Sequence, residues 1–338
     1  MSIELPILRI GLAGFTLELQ EHLLRLLPTA SPSGLTWEFA KFSDADALWI
    51  NGARTQYLAD GTFRIAAGVP SGRSLQINLA DVDRPVAFAT PVPRNFEPDL
   101  QFDPGRAASV SAVLGRLETW LQPLIAQFSV ASQILEQEGV LGSGLYHVTS
   151  PNGLLLASVN LRGDVRVLPS ASPLDFEDAM WMPRTAEDPQ AVDHFSRVSL
   201  SHLMWQYALR TGRDVLPPRY RTETLYFRRP PRLSQRLLRD SHLLLLRELA
   251  VAPGKFADLQ QRTGIVGQQM ARDLAALYLV GAITSNVKRA APSHVREEDS
   301  INSMGPSGLP SGLGPDSAAQ LLRVRRRDLT VPAPLSFE

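Results

Sequence analysis

Apolar residues first cluster at 5–14 (LPILRIGLAG), a nearly continuous run ending in glycine that predicts a buried strand entering a tight turn. Residues 17–27 then place Leu19, Leu23, Leu26 and Leu27 at helical spacing, and Pro28, Pro32 and Gly34 end that helix. Residues 35–42 (LTWEFAKF) alternate as a second strand, 46–51 (DALWIN) form a short apolar third, 85–90 (PVAFAT) a fourth and 100–102 a brief fifth. Helical periodicity starts near Ala107 and runs through Val110, Val113, Leu114, Leu117, Leu121, Leu124, Ile125 and Phe128 to about Glu138, with Pro123 marking a kink or break. Strands alternating with helices predict a parallel sheet covered on its faces, hence an α/β class. The end of this helical stretch reads as a second helix linking domains; the alternative is a dimerisation helix using Trp120, Leu121, Leu124 and Phe128, and so a homodimer.

The period changes at 144–168. Short β-rich runs at 145–148, 154–161 and 165–168 are separated by Asn152-Gly153 and Arg162-Gly163-Asp164, which predicts an antiparallel meander. Residues 169–193 are acidic and punctuated by proline, and read as an irregular loop carrying Trp181. Residues 198–209 form a helix with Leu200, Leu203, Met204 and Tyr207 on one side, which leaves Trp205 off the stripe and exposed. An Arg/Pro-rich segment at 210–233 contains Leu225-Tyr226-Phe227 as an edge strand, and helices follow at about 234–250, 255–262 and 266–280. From 291 the composition collapses into Ser, Gly and Pro, a flexible tail ending in a short basic helix at 318–327. The domains expected are 1–125, a linker helix at 126–139, the meander with its helices and Arg/Pro segment at 140–233, a helical module at 234–290, and the tail at 291–338.

The 338 residues and 44% hydrophobic content exclude wholesale disorder, and the absence of cysteine excludes disulfides, thiolate metal sites and a thiol nucleophile. The net charge of zero hides a polarity. Residues 1–209 hold 14 Lys and Arg against 22 Asp and Glu, whereas 210–290 hold 15 against 6. Only three basic residues are lysine, a bias that arginine's forked donors or a GC-rich coding sequence would each explain. No basic stretch precedes an apolar core at the start, and no run reaches the roughly 18 apolar residues a membrane span requires, so the expected address is cytoplasmic, without membrane contact.

Residues 5–125 resemble a response-regulator receiver domain. The resemblance lies in DALWIN, where receivers have an Asp-led strand ending at the phosphorylated Asp; in PVAFAT, matching the strand that ends at Thr or Ser; and in Phe102-Asp103-Pro104 entering a long helix. It implies a receiver-like parallel sheet. The chain departs from the family where phosphoryl chemistry occurs. The acidic pair that would hold a divalent cation is replaced by Gly11-Leu12-Ala13-Gly14, Asn51 stands at the acceptor position, and Asp103 falls near the family's Lys, while Thr90 is kept. A receiver so altered is phosphorylation-incompetent, a pseudo-receiver retained as an interaction surface. Residues 234–290, two short helices around Thr263-Gly264 after an apolar helix and before a strand-like ending, resemble a winged helix-turn-helix, which implies DNA contact through Gln268, Gln269 and Arg272.

Other chemistries fail on spacing. The only Gly-Lys pair, Gly254-Lys255, has Leu249 where a phosphate-binding loop needs glycine, and the Gly142-Ser143-Gly144 start of a dinucleotide fingerprint has His147 at its third glycine. No nucleophile elbow or paired-histidine motif is present, so neither catalytic residues, a metal nor a cofactor are expected. The expected function is a non-catalytic signalling adaptor acting through protein or nucleotide contacts. Its alternatives are a DNA-binding transcriptional regulator and a cyclic-dinucleotide-responsive effector. Arg219, Arg221, Arg228, Arg229, Arg232 and Arg236 are the candidate contacts to an acidic partner or nucleotide.

Overall fold

In the computed structural model, which describes residues 4–70, 72–185 and 194–291, strand β1 (Ile7–Ala13) leads through a Gly14 turn into α1 (Leu17–Ala30), followed by β2 (Thr36–Ala40) and β3 (Ala47–Asn51). Three short antiparallel strands come next, β4 (Thr55–Tyr57), β5 (Thr62–Ile65) and β6 (Leu75–Asn78), and then β7 (Val86–Ala89), β8 (Gln101–Phe102) and α2 (Ala107–Trp120). The first sheet is all parallel, in the order β2-β1-β3-β7-β8. One face is covered as expected, by α1 and α2: Leu23, Leu27, Val110, Leu114 and Leu117 pack on Leu8, Ile10, Trp49 and Phe102. The other face carries the β4–β6 sheet in place of helices, with Phe63 and Ile65 on Ile50 and Phe88.

Gly11 shows how β2 reaches β3 without a helix. The two strands flank β1, and β3 begins level with Ile10, where β2 is ending beside Gly11, so the chain only has to cross β1 rather than return along it. It crosses over Gly11 itself: a Cβ there would stand 3.0 Å from the Ala45 methyl and 3.1 Å from the Phe42 Cα. Only glycine admits so close a passage.

The long helical stretch is two helices, α2 and α3 (Gln122–Glu136), that meet at Leu121. Pro123 stands in the first turn of α3, where its missing N–H costs nothing. Residues 126–139, expected as a linker, instead lie largely in a core helix: Ala126, Phe128, Val130, Ala131 and Ile134 cover a second sheet. That sheet is antiparallel, made of β9 (Leu145–Thr149), β10 (Leu155–Asn160), β11 (Asp164–Val167), β12 (Met180–Arg184) and β13 (Ser196–Ser199) in the order β12-β9-β10-β11-β13. The predicted meander is its centre. The predicted acidic loop is more ordered than expected, since it contains a 3-10 turn at Pro173–Phe176 and strand β12. Pro183 disguises β12 in the sequence and is tolerated because β12 is an edge strand. Trp181 is tied down by its indole N–H, which donates to Gln133 Oε1 at 3.0 Å.

Helix α4 (Leu200–Arg210) starts two residues later than its periodicity suggests, because Arg197 and Val198 pair with Arg166 and Val165 in the sheet. Ser199 caps it, its hydroxyl accepting from the His202 N–H at 3.2 Å. Trp205, expected in solvent, is fully buried, because α4 has a second packing partner. Leu203, Met204 and Tyr207 face the sheet, while Trp205 and Ala208 belong to the core of a helical module. That module comprises α5 (Arg219–Thr222), β14 (Tyr226–Phe227), α6 (Asp240–Val251), α7 (Phe256–Thr263), α8 (Gly267–Leu279) and β15 (Ile283–Thr284). Gly264, at φ +68°, makes the left-handed turn that ends α7. Strand β15 pairs with β14, which lies upstream of α6, so among the described residues no hairpin follows α8.

All described residues fall in one compact unit, 1–294, and a polar seam ties its layers together. Glu4 accepts hydrogen bonds from the Tyr207 hydroxyl at 2.8 Å, Ser132 at 3.1 Å and Thr211. Burial, reinforced by Glu4 and opposed by Thr211, pushes the Tyr207 hydroxyl up to about 12. An unfolded tyrosine ionises near 10, so the native state keeps a proton that the unfolded chain releases. This stabilisation is complete below about pH 10 and is lost as pH rises towards about 12. Urea midpoints should therefore fall more steeply over this window for the wild type than for Tyr207→Phe, and parallel curves would refute the assignment. Tyr220 and Tyr278, also raised chiefly by burial, supply a background common to both proteins. No helix among the described residues is long and apolar enough to cross a membrane. The predicted tail from residue 292 onward, with its basic helix, lies outside the described residues.

Candidate functional site

In an open parallel sheet the ligand crevice lies beyond the carboxyl ends of the strands, where the strand order reverses. Here β1 leads to β2 on one side and the chain then continues from β3 on the other. Asn51, Thr90 and Asp103 do come together along this edge: Asn51 pairs with Ala89, Ala89 with Phe102, and Thr90 and Asp103 follow immediately. The Asn51 and Asp103 side chains are occupied locally. Asn51 uses both ends of its amide, Nδ2 donating to Gly14 O at 3.0 Å and Oδ1 accepting from the Ala53 N–H at 3.2 Å. Asp103 Oδ1 accepts from the Gly105 N–H at 2.9 Å, an Asx turn into α2. Thr90 is exposed, its N–H bonded to Phe102 O at 2.9 Å.

The chain packs closely at the glycines beside them. A Cβ on Gly14 would meet Ile65 Cγ2 at 3.0 Å and Asn51 Cβ at 3.3 Å, and one on Gly52 would meet Ala89 O at 2.7 Å. The peptide at Gly68 lies directly on Phe15, and the Arg54 guanidinium donates to Ala67 O, pinning the loop after β5 over the sheet edge. No three His, Asp or Glu side chains converge as a cation site would require among the described residues.

The candidate arginines divide between separate places. Arg228 and Arg229 flank Gly281, where a Cβ would stand 3.3 and 3.2 Å from their guanidinium nitrogens, and the Arg228 N–H bonds Ala282 O at 2.9 Å. Burial, then the charges of Arg228 and Arg232, hold the Arg229 guanidinium below its ordinary range. Arg236 is exposed on a 3-10 turn at Gln235–Leu237. Arg219 lies 5.6 Å from the centre of its neighbouring Tyr220 ring.

Arg221 goes elsewhere. It bonds Asp214 and stands 5.6 Å from the centre of the Phe256 ring, on the wall of a cavity of about 320 Å³ that Gln268 and Arg272 also line. Residues assigned from sequence to two different partners thus share one cleft, with Arg213 as an unforeseen fourth member. Gln269 does not join them, since its side chain turns inward and donates to Asp273 Oδ1 at 2.7 Å. Most of α8 is covered: Met270, Ala271, Leu274, Ala275, Ala276 and Leu277 are buried, leaving only Gln268 and Arg272 exposed. A second cleft, about 650 Å³, opens beside β7 and the end of α2, lined by Arg84, Phe96, Glu97, Arg116 and the half-exposed Trp120. Neither cleft was legible as such, because each assembles residues far apart in the chain. No protein-family model, curated protein or solved structure matches this sequence.

Proposed function

We propose that this chain is a non-catalytic regulatory adaptor, its first module a receiver-like fold that signals by shape and surface contact. The strand order β2-β1-β3-β7-β8 supports the resemblance, being the 2-1-3-4-5 order of receivers once the inserted β4–β6 sheet is set aside. The observation that supports the loss of chemistry is at Asn51, an amide at the acceptor position that is bonded at both ends to Gly14 O and the Ala53 N–H, with no cluster of three His, Asp or Glu among the described residues to hold a cation. The contact surfaces are the Trp120 cleft and the Arg228, Arg229 and Arg232 group, whose mutual repulsion favours an acidic partner.

Two proteins test this: the wild type and Asn51→Asp, each incubated with acetyl phosphate and Mg²⁺ and weighed by intact-mass spectrometry. Neither should gain a phosphoryl group. The variant should also lose about 1–3 kcal/mol of stability, because a carboxylate would face Gly14 O where an amide now donates. Stoichiometric phosphorylation of either protein overturns the reading. For the DNA-binding alternative, α8 presents only Gln268 and Arg272 to solvent.

A further inference from the structure

We infer that the cleft between the end of α4, α5 and the start of α8 binds a phosphate-bearing small molecule. This deepens the adaptor reading by naming what such a protein would respond to, and it concerns a different place from the sheet edge at Asn51. Three guanidinium groups from three separate segments line one cavity: Arg213 from the loop after α4, Arg221 from α5 and Arg272 from α8; Asp214 is the one carboxylate among the lining residues, and Glu4 and Glu136 pair with Arg213 from behind it. Two of them are held in place. Arg213 donates to Glu136 Oε1 at 3.0 Å, and Arg221 bonds Asp214, each with guanidinium N–H groups left over. Arg272 has no ion pair with the described residues and is exposed at the cleft.

A cluster in which two forks are already positioned loses little entropy on meeting an anion. Gly267 and Gln268 complete that end of the cavity with the first turn of α8, which no side chain caps, so its N–H groups add to the same positive field. The remaining walls are mostly apolar, from Ala208, Val215, Phe256, Ala271 and Ala275, with Thr211 beside them. A charged end facing arginines and an apolar end fit a phosphate ester better than a bare ion. The volume of about 320 Å³ stands at the lower end of the range for small-molecule sites, roughly 300–1,000 Å³.

The test is calorimetric titration of the full chain with ATP, GTP, pyrophosphate and a 20-base-pair duplex, repeated on Arg272→Gln and on Arg25→Gln, an exposed position of α1. At least one small phosphate compound should bind in the micromolar range. Arg272→Gln should weaken it about tenfold or more, the effect of removing one charge-assisted bond, while Arg25→Gln leaves it unchanged. A nucleotide tighter than pyrophosphate identifies a nucleoside phosphate, and pyrophosphate alone identifies the free anion; either supports the site. No binding up to millimolar concentration, binding indifferent to Arg272→Gln, or binding of the duplex alone overturns it. Such a failure leaves the phosphorylation experiment unaffected, because that is read at Asn51.

Discussion

Replacing His242 with alanine is expected to cost about 3–5 kcal/mol, the range for breaking a buried polar pair from one side. His242 on α6 and Asp273 on α8 are both fully buried, with Nε2 3.1 Å from Asp273 Oδ1. The Arg239 N–H donates to His242 Nδ1 at 3.1 Å, which turns Nε2 toward the Asp273 carboxylate. Trp205 packs edge-on against the ring at 4.6 Å, closing the site from α4. Removing the imidazole leaves Asp273 with Gln269 as its remaining donor and opens a cavity at the junction of three helices. Urea unfolding of His242→Ala should show the loss with little change in slope. The double replacement His242→Leu with Asp273→Leu should recover much of it, because no buried charge is then stranded. A loss below about 1 kcal/mol in the single variant would mean that water already reaches the pair.

The pair was not singled out from the sequence. His242 shares the α6 stripe with Leu245 and Leu249, and Asp273 sits among Met270, Leu274 and Leu277 on α8, so both occupy core positions by spacing. Periodicity identifies a polar residue as buried but says nothing of what faces it. The same limit explains the rest. Strands β1, β3 and β7 are legible because residues on both their faces are buried, which leaves apolar runs at 5–14, 46–51 and 85–90. Strands β4 to β6 are not, being three or four residues each with little more than Phe63, Ile65, Leu75 and Ile77 to mark them. Trp205 was misplaced because a single apolar stripe was sought on α4, which packs on two layers. Asn51, Thr90 and Asp103 were legible as one edge because adjacent parallel strands bring their ends together, whereas Arg221, Gln268 and Arg272 meet only through the packing of α5 against α7 and α8.

The second large effect is expected at Asp46, where the first sheet meets α4. Asp46 lies at the start of β3; its Oδ2 accepts from the Arg9 N–H at 2.9 Å, and its Oδ1 pairs with the Arg210 guanidinium, both side chains being almost wholly buried. The Arg9 guanidinium reaches Leu209 O at the end of the same helix. Burial and the charge of Arg210 push the Arg9 guanidinium down, and Asp46 is the largest opposing influence, with smaller effects from Arg239 and Glu38. Asp46→Ala strands Arg210 with only Gln206 as its side-chain partner and leaves the two guanidinium groups repelling each other. A loss of about 3–5 kcal/mol follows, as for any buried ion pair broken from one side. Its location adds a second signature. Asp46, Asp44 and Arg9, together with Glu4, tie the first sheet to the chain after residue 200, so weakening this seam should separate what otherwise unfolds together. Wild-type unfolding followed by tryptophan fluorescence and far-UV circular dichroism should coincide in one transition, while Asp46→Ala splits the two signals. Coincident signals in the variant, with an unchanged midpoint, would show that apolar packing alone holds the first sheet to α4.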